Sequence, residues 1–460
     1  MTELRGVDQA AAHIHGICLK TGPPERVGVE LEWLVRDAAD PAMPVPAERI
    51  AAAVARFRPS GAVPAPVDPA LSSGASSYLL PSSSAPGILP SGAFLTTEPG
   101  GQLELSSLPA DSLADLVSAT SADLAALRAA AEAEGLELAG FGLDPSRPPR
   151  RLLRLPRYTA MEAFFDRGGP WGRQMMCGTA SVQVCVDAGD DTGQRSGYQH
   201  RWRLLHAIGP VLVAAFANSP LRDGKPTGWR SSRQQAWAHM DAGRTRPPHT
   251  ADNGDLRAGW TAYALDAQVM CVRSDGADWT APAGMALRDW IRASGRSRTG
   301  EAREYGLRAP STADIDYHLS TLFPPVRPRG HFEIRMIDAQ PGDGWIVPLA
   351  VTSALLADEE AGDAALAAAE RIWPGPPGDW PAIPGATVDD DGGNPWIAAA
   401  RHGPEVREIA RASRECFAAA RAALARDRTP EPITQAVDTF IDRYITRDRC
   451  PADDLLKEVS

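Results

Sequence analysis

The chain has 460 residues, 43% hydrophobic and 23% charged, with a net charge of −11; the balance is that of an ordinary folded protein, and the negative sign argues against a nucleic-acid partner, which would want a basic face. No apolar run reaches the length of a membrane span and the N-terminus carries no signal-peptide core, so a cytoplasmic protein without membrane or nucleic-acid partners is expected, as a monomer or small homo-oligomer. Six cysteines without CxxC or finger spacing read as separate structural thiols.

Residues 1–22 begin polar and read as a loose or helical lead-in. VGVELEW (27–33) alternates with the period of a strand, so Glu30 and Glu32 share one face while Val29, Leu31 and Trp33 share the other. A short helical stretch at 48–57 precedes a segment rich in Pro, Ser and Gly (58–92), expected to be a long surface loop able to serve as a lid. It leads into EPGGQLELSS (98–107), expected as a second acidic strand that carries Glu98 and sets Gln102 and Glu104 on one face. Ser112 followed by Asp115, with Gly135 at the far end, brackets a helix over 112–134.

A strand is expected within 137–144 and another over 179–187, the latter with Thr179, Ser181, Gln183 and Cys185 on its polar face. A buried helix over 201–217 is interrupted near Gly209-Pro210. A helical stretch over 231–241 sets Arg233 and Trp237 four apart, on one face. HFEIRMID (331–338) repeats the acidic alternation, with His331, Glu333 and Arg335 together, and Ala-rich helices follow from about 345. If the acidic strands converge, residues 24–345 form one catalytic core, and 346–460 add a helical layer to a single unit spanning 1–460.

Glutamates on the polar face of one strand are usually just solvated. Here the pattern recurs at distant places, and like charges brought together repel unless a hard cation sits among them. Mg²⁺ bridges carboxylates to substrate phosphates, so a site for Mg²⁺ and phosphates is the first expectation. No His/Cys cluster supports zinc, and His331 reads as a hydrogen-bonding partner before a ligand. GKPTGW (224–229) lacks the spacing of a phosphate loop, and no GxSxG elbow is present. Arg233 beside Trp237 suits the grip of a carboxylate, against an ordinary surface arginine over a packed ring. Arg335 among metal-binding carboxylates suits a phosphate.

Taken together, VGVELEW, EPGGQLELSS, LPRYTAM (155–161), RQMMCGTASVQVCVD (173–187), FANSPLRDGKPTGWRSSRQQAW with MDAGRT (216–245), and HLSTLFPPVRPRGHFEIRMIDAQP (318–341) resemble, in order and spacing, the glutamate–cysteine ligase superfamily. The resemblance is greatest to its plant-type and actinobacterial branches, and within these to the enzyme that starts ergothioneine synthesis. It implies an α+β fold similar to glutamine synthetase, with an antiparallel sheet curved around the active site and flanked by helices. It implies an ATP-dependent ligase that joins L-glutamate to L-cysteine through a γ-glutamyl phosphate. By motif match, Glu30, Glu32, Glu98, Glu104 and Glu333 take Mg²⁺, with Gln183 a further contact. Arg335 and Glu333 are then the catalytic pair, with Arg335 on the ATP phosphates, and Arg233 with Trp237 holds glutamate. Two departures stand out: Gly178 replaces an arginine of the plant-type motif, and the 58–97 loop is long. The competing expectations are a superfamily ligase with another amine acceptor, a metal-dependent phosphohydrolase, which leaves Arg233 and Trp237 unexplained, and a metabolite-binding protein without turnover.

Overall fold

A computed structural model of the chain describes residues 4, 6–58, 86–248, 255–296, 306–373 and 393–459. Its strands are β1 (Val27–Asp37), β2 (Gly87–Ile88), β3 (Phe94–Thr97), β4 (Leu103–Ser106), β5 (Leu136–Ala139), β6 (Ser181–Val186), β7 (Leu221–Arg222), β8 (Lys225–Pro226), β9 (Val326–Pro328) and β10 (Phe332–Asp338). Eight of them form one sheet in the order β2-β3-β4-β1-β6-β10-β9, with β5 on the distal half of β1. Every pairing in it is antiparallel. Helices account for most of the rest, so the architecture is the expected mix of helix and open antiparallel sheet. Among the described residues no helix is long and apolar enough to cross a membrane.

Alternation in the sequence divides the sheet into two faces. Val29, Leu31, Leu103, Leu105, Val182 and Val184 are all buried in one apolar cluster. Helix Ile346–Ala357, apolar almost all round, packs on β6 and lies between the sheet and helix Arg407–Arg426. A helix hydrophobic on every side needs cover on every side, and the C-terminal helices supply it. The other face of the central strands, carrying the glutamates, is left for chemistry.

Several expectations are met closely. Helix Leu113–Ala133 is capped by Ser112, whose side chain accepts from Asp115 N–H, and Gly135 follows with φ +65°. The break at Gly209-Pro210 divides helix Tyr198–Ala207 from helix Gly209–Ala215, with proline in the first turn of the second.

Others are corrected. Residues 98–107 are not one strand: Pro99, Gly100 and Gly101 make a hairpin turn between β3 and β4, closed by Glu98 N–H on Gln102 O at 2.8 Å. Gly101 has φ +90°, a conformation that side chains disfavour. Glu98 therefore stands at the turn, and β2 and β3 occupy part of what read as loop. Residues 59–85, most of the expected loop and lid, lie outside the described residues. The lead-in takes the helical of its two expected forms, as helix Val7–Cys18, which buries Ala10, Ile14 and Cys18. In β10 the pairing with β6 shifts register between Ile334 and Ile337, so strict alternation fails there and both isoleucines are buried.

Candidate active site

Strand register builds the site. Glu30 on β1 lies opposite Ser106 on β4 and Gln183 on β6. Glu32 lies opposite Glu104, and Glu104 in turn opposite Thr96 on β3. One pocket is lined by Glu30, Glu32, Glu98 and Glu104, so residues more than seventy positions apart in sequence meet there. Ser181 and Gln183 donate to the two oxygens of Glu32, at 2.9 and 3.1 Å, and Thr96 donates to Glu104 at 2.9 Å.

The turn that carries Glu98 is pinned in place. A Cβ on Gly100 would come within 2.3 Å of the Cys177 carbonyl oxygen, so only glycine lets the turn meet helix Trp171–Gly178 this closely. Gln102 closes the contact. Its amide oxygen accepts from Gly100 N–H at 3.0 Å, and its Nε2 donates to the carbonyls of Thr179 and Met176.

Carboxylates set this close, walled by protein behind and to the sides, resist ionisation. Burial, then the charge of Glu32, pushes Glu98 up to about 7. Burial, then Glu98 and Glu32, pushes Glu104 up to about 8. Glu30 is raised as well, by burial and then by Glu104. A cation brought among these groups would remove the repulsion.

The opposite charges enter from two other elements. Arg233, on helix Ser232–His239, is 1% exposed. Its Nη2 donates to Arg335 O at 2.8 Å, and its guanidinium carbon lies 4.5 Å from the Trp237 ring centroid. Its Nε and Nη1 have no hydrogen-bond partner. Asp338, at the end of β10, positions this helix: it accepts from Asn218 N–H, Ser219 Oγ and Ser231 Oγ, the last being the helix cap.

Arg335 donates to Gln183 and to Glu333, while its Nε is unpaired; burial, then the charge of Arg327, brings it down to about 9. Glu333 is fully buried and does not line the pocket. It lies across from Arg327 in the β9–β10 register and is gripped by Arg327, Arg329 and Arg335. His331 does not line the pocket either, and GKPTGW falls in the β7–β8 hairpin away from it.

The structure thus gathers Glu30, Glu32, Glu98, Glu104, Gln183, Arg233, Trp237 and Arg335 around one pocket, with Glu333 behind its wall. Sequence reasoning missed Arg157, Arg327 and Arg329, which also line it. The signal was present in LPRYTAM and in PVRPR, where arginines interrupt apolar runs. At the departure from the plant-type motif, a Cβ on Gly178 would come 2.7 Å from the Gln174 amide nitrogen, so that side chain stands where a larger residue would begin.

Among the described residues, no three His, Cys, Asp or Glu side chains are already arranged around one ion. Mg²⁺ is usually held by one or two carboxylates and otherwise by water and substrate phosphates. The raised carboxylates and the unpaired guanidinium nitrogens fit such a metal with its phosphates.

Several known proteins are similar to this chain. The chain is 36% identical to the glutamate–cysteine ligase EgtA of Mycolicibacterium smegmatis, covering 99% of this chain and 92% of that protein. It is 31% identical to the chloroplastic glutamate–cysteine ligase of Medicago truncatula, over 54% of this chain and 47% of that one. Among solved structures, the glutamate–cysteine ligase of Francisella tularensis in complex with AMP aligns at TM-score 0.44 and 11% identity, over 95% of this chain and 85% of that one. The model of glutamate-cysteine ligase family 2 matches residues 26–458, and the chain belongs to that family.

Proposed function

We propose that this chain is an ATP-dependent ligase joining the γ-carboxylate of L-glutamate to the amine of L-cysteine, serving the first step of ergothioneine synthesis as its EgtA-named relatives suggest. One observation carries the reading: a single pocket sets Glu30, Glu32, Glu98 and Glu104 against the buried guanidiniums of Arg233 and Arg335, whose N–H groups are not all paired.

A carboxylate is a poor electrophile, so amide formation needs activation. The γ-carboxylate oxygen of glutamate attacks the γ-phosphorus of ATP and ADP leaves. The deprotonated amine of cysteine then attacks the acyl carbon, and phosphate departs with the electrons of the broken C–O bond. Arg233, stacked on Trp237, holds the glutamate by a carboxylate. Arg335 offsets charge on the phosphoryl oxygens, and Arg327 and Arg329 keep Glu333 beside it. Glu30, Glu32, Glu98 and Glu104, with Gln183 alongside, would hold Mg²⁺; Glu333, assigned to that set by motif match, is buried outside the pocket and paired with Arg327, Arg329 and Arg335, so its charge serves those arginines instead. When bound, the metal neutralises triphosphate charge. No covalent nucleophile on the protein is required; burial pushes the nearby Cys177 thiol up to about 12.

On this reading the whole chain is one catalytic unit, with its core over 24–345 and the C-terminal helices behind the apolar face. It works in the cytoplasm on small molecules, as a monomer or small homo-oligomer.

The test is mass detection of γ-glutamylcysteine from purified chain, ATP, Mg²⁺, L-glutamate and L-cysteine, with one ADP released per product. Phosphate release that needs no glutamate would instead identify a phosphohydrolase. Product with another amine but not with cysteine would move the assignment to a different acceptor.

A further inference from the structure

A second cavity lies on the other face of the sheet from the carboxylates. It encloses about 590 Å³ and shares no lining residue with the catalytic pocket; that volume is within the range of small-molecule sites. Val27 and Val186, register partners near the ends of β1 and β6, border it and continue the apolar face of the sheet. Leu204, Leu355, Leu356 and Leu424, from helices Tyr198–Ala207, Ile346–Ala357 and Arg407–Arg426, give it an apolar wall.

Arg201, one turn before Leu204, also lines the cavity and is 4% exposed. Its Nη1 and Nη2 donate to the carbonyls of Leu356 and Asp187 at 2.9 and 3.1 Å, and its Nε has no hydrogen-bond partner. Both carbonyls are uncharged, and among the described residues no carboxylate forms an ion pair with Arg201. Asp187 and Asp190 act on it from further off, but their oxygens are engaged by the N–H groups of Glu25 and Arg26 and by Ser196 and Thr192. Arg195 and Arg426, the other arginines on the helical walls, are already paired with Asp363 and Asp358.

A buried cation without a counter-charge is costly, and the cavity is where one can reach Arg201. Glu25 and Asp111, both exposed, stand at its edge and repel a doubly charged anion more than a singly charged one. We propose that this cavity is a second small-molecule site, taking a carboxylate with an apolar body: the carboxylate pairs with the Arg201 guanidinium and the body packs on the leucines. A ligand there touches the two strands whose opposite face carries Glu30 and Gln183, without meeting the substrates.

Hydrocinnamate is the probe, with its neutral amide and with phenethyl phosphate as a dianion of similar shape. In equilibrium dialysis the wild-type chain should bind one hydrocinnamate with a Kd of about 1 mM or below, and the amide and the phosphate each about tenfold more weakly. Saturating ATP, Mg²⁺ and L-glutamate should leave that binding in place. Arg201→Met should bind acid and amide alike, a change that loss of two structural hydrogen bonds alone would not bring. Ala423→Phe fills the cavity from helix Arg407–Arg426 with Arg201 intact and should abolish binding of both. On the wild-type chain, where no variant has to fold, absence of hydrocinnamate binding, equal binding of the amide, tighter binding of the phosphate, or displacement by the substrates each overturns the proposal. Binding that survives in Ala423→Phe, or an acid preference that survives in Arg201→Met, overturns it as well.

Discussion

Glu32 on β1 lies directly opposite Glu104 on β4, in register across an antiparallel pair. Like charges facing each other across strands destabilise a sheet by about 0.2–1 kcal/mol, so the arrangement works against the fold in the absence of a cation. Glu104→Gln removes one of the two charges that face each other above about pH 8 and keeps the shape and the hydrogen bond from Thr96. The variant should unfold in chelator at the same temperature as the parent or slightly higher, and should lose most of the Mg²⁺-dependent rise in Tm. Ligase activity should fall by about 100-fold or more. A variant that is fully active and still stabilised by Mg²⁺ would remove Glu104 from the metal set.

The raised carboxylates fix the sign of a pH effect. Glu98 and Glu104 titrate near 4.5 when unfolded but near 7 and 8 in the folded chain. Between those values the native state keeps protons that the unfolded state has released. Their contribution to stability is full below about pH 4.5 and is lost as pH rises through 7 to 8. Thermal scans in chelator from pH 6 to pH 9 should therefore show a falling Tm from these groups. Magnesium displaces the same protons, so the Tm increment it gives should be larger at pH 8.5 than at pH 6.5. An increment that shrinks over that range would contradict the assignment.

Arg233 tests the grip on glutamate. The guanidinium is planar, stacked on Trp237, and has unpaired N–H groups at Nε and Nη1. Lysine keeps the charge but loses the stacking and the forked donors. Arg233→Lys should raise KM for glutamate by about 100-fold, in keeping with about 3 kcal/mol for a charge-assisted pair, while KM for ATP moves little. Trp237→Ala removes a cation–π contact of about 1–2 kcal/mol and should raise the same KM by about tenfold. Equal changes in both KM values would assign Arg233 to the scaffold instead.

Period and spacing alone made much of the site legible. The alternation in VGVELEW placed Glu30 and Glu32 on the pocket face, and four-residue spacing put Arg233 under Trp237. What escaped was decided by partners distant in sequence. Glu333 reads in isolation as one more strand glutamate, but β9–β10 pairing sets Arg327 opposite it. Glu98 read as strand because Gln102 and Glu104 carry the alternation on, although Pro99-Gly100-Gly101 is a turn signal. The register shift in β10 has no local mark, since Ile334 and Ile337 suit either face of a buried strand. Asp338 has no role in the sequence reading, because the three donors that occupy it come from residues 218–231.

Asp338 gives the last prediction. Its carboxylate is buried and raised in pKa by that burial, with Arg233 at 3.9 Å as the nearest cation. It accepts from a backbone N–H and two hydroxyls, which join the chain at 218–219 and the cap of helix Ser232–His239 to the end of β10. Asp338→Asn keeps the volume but replaces one acceptor oxygen by a donor and removes the charge facing Arg233. Leaving a buried hydrogen-bonding group unpaired costs about 1–3 kcal/mol, so Tm should drop by several degrees. Because the helix carries Arg233 and Trp237, KM for glutamate should rise more than kcat falls. Glu98 and Glu104 are fixed through β3 and β4 instead, so the Mg²⁺-dependent rise in Tm should persist. If the Mg²⁺ increment is lost along with glutamate binding, Asp338 supports the whole pocket rather than the glutamate side of it.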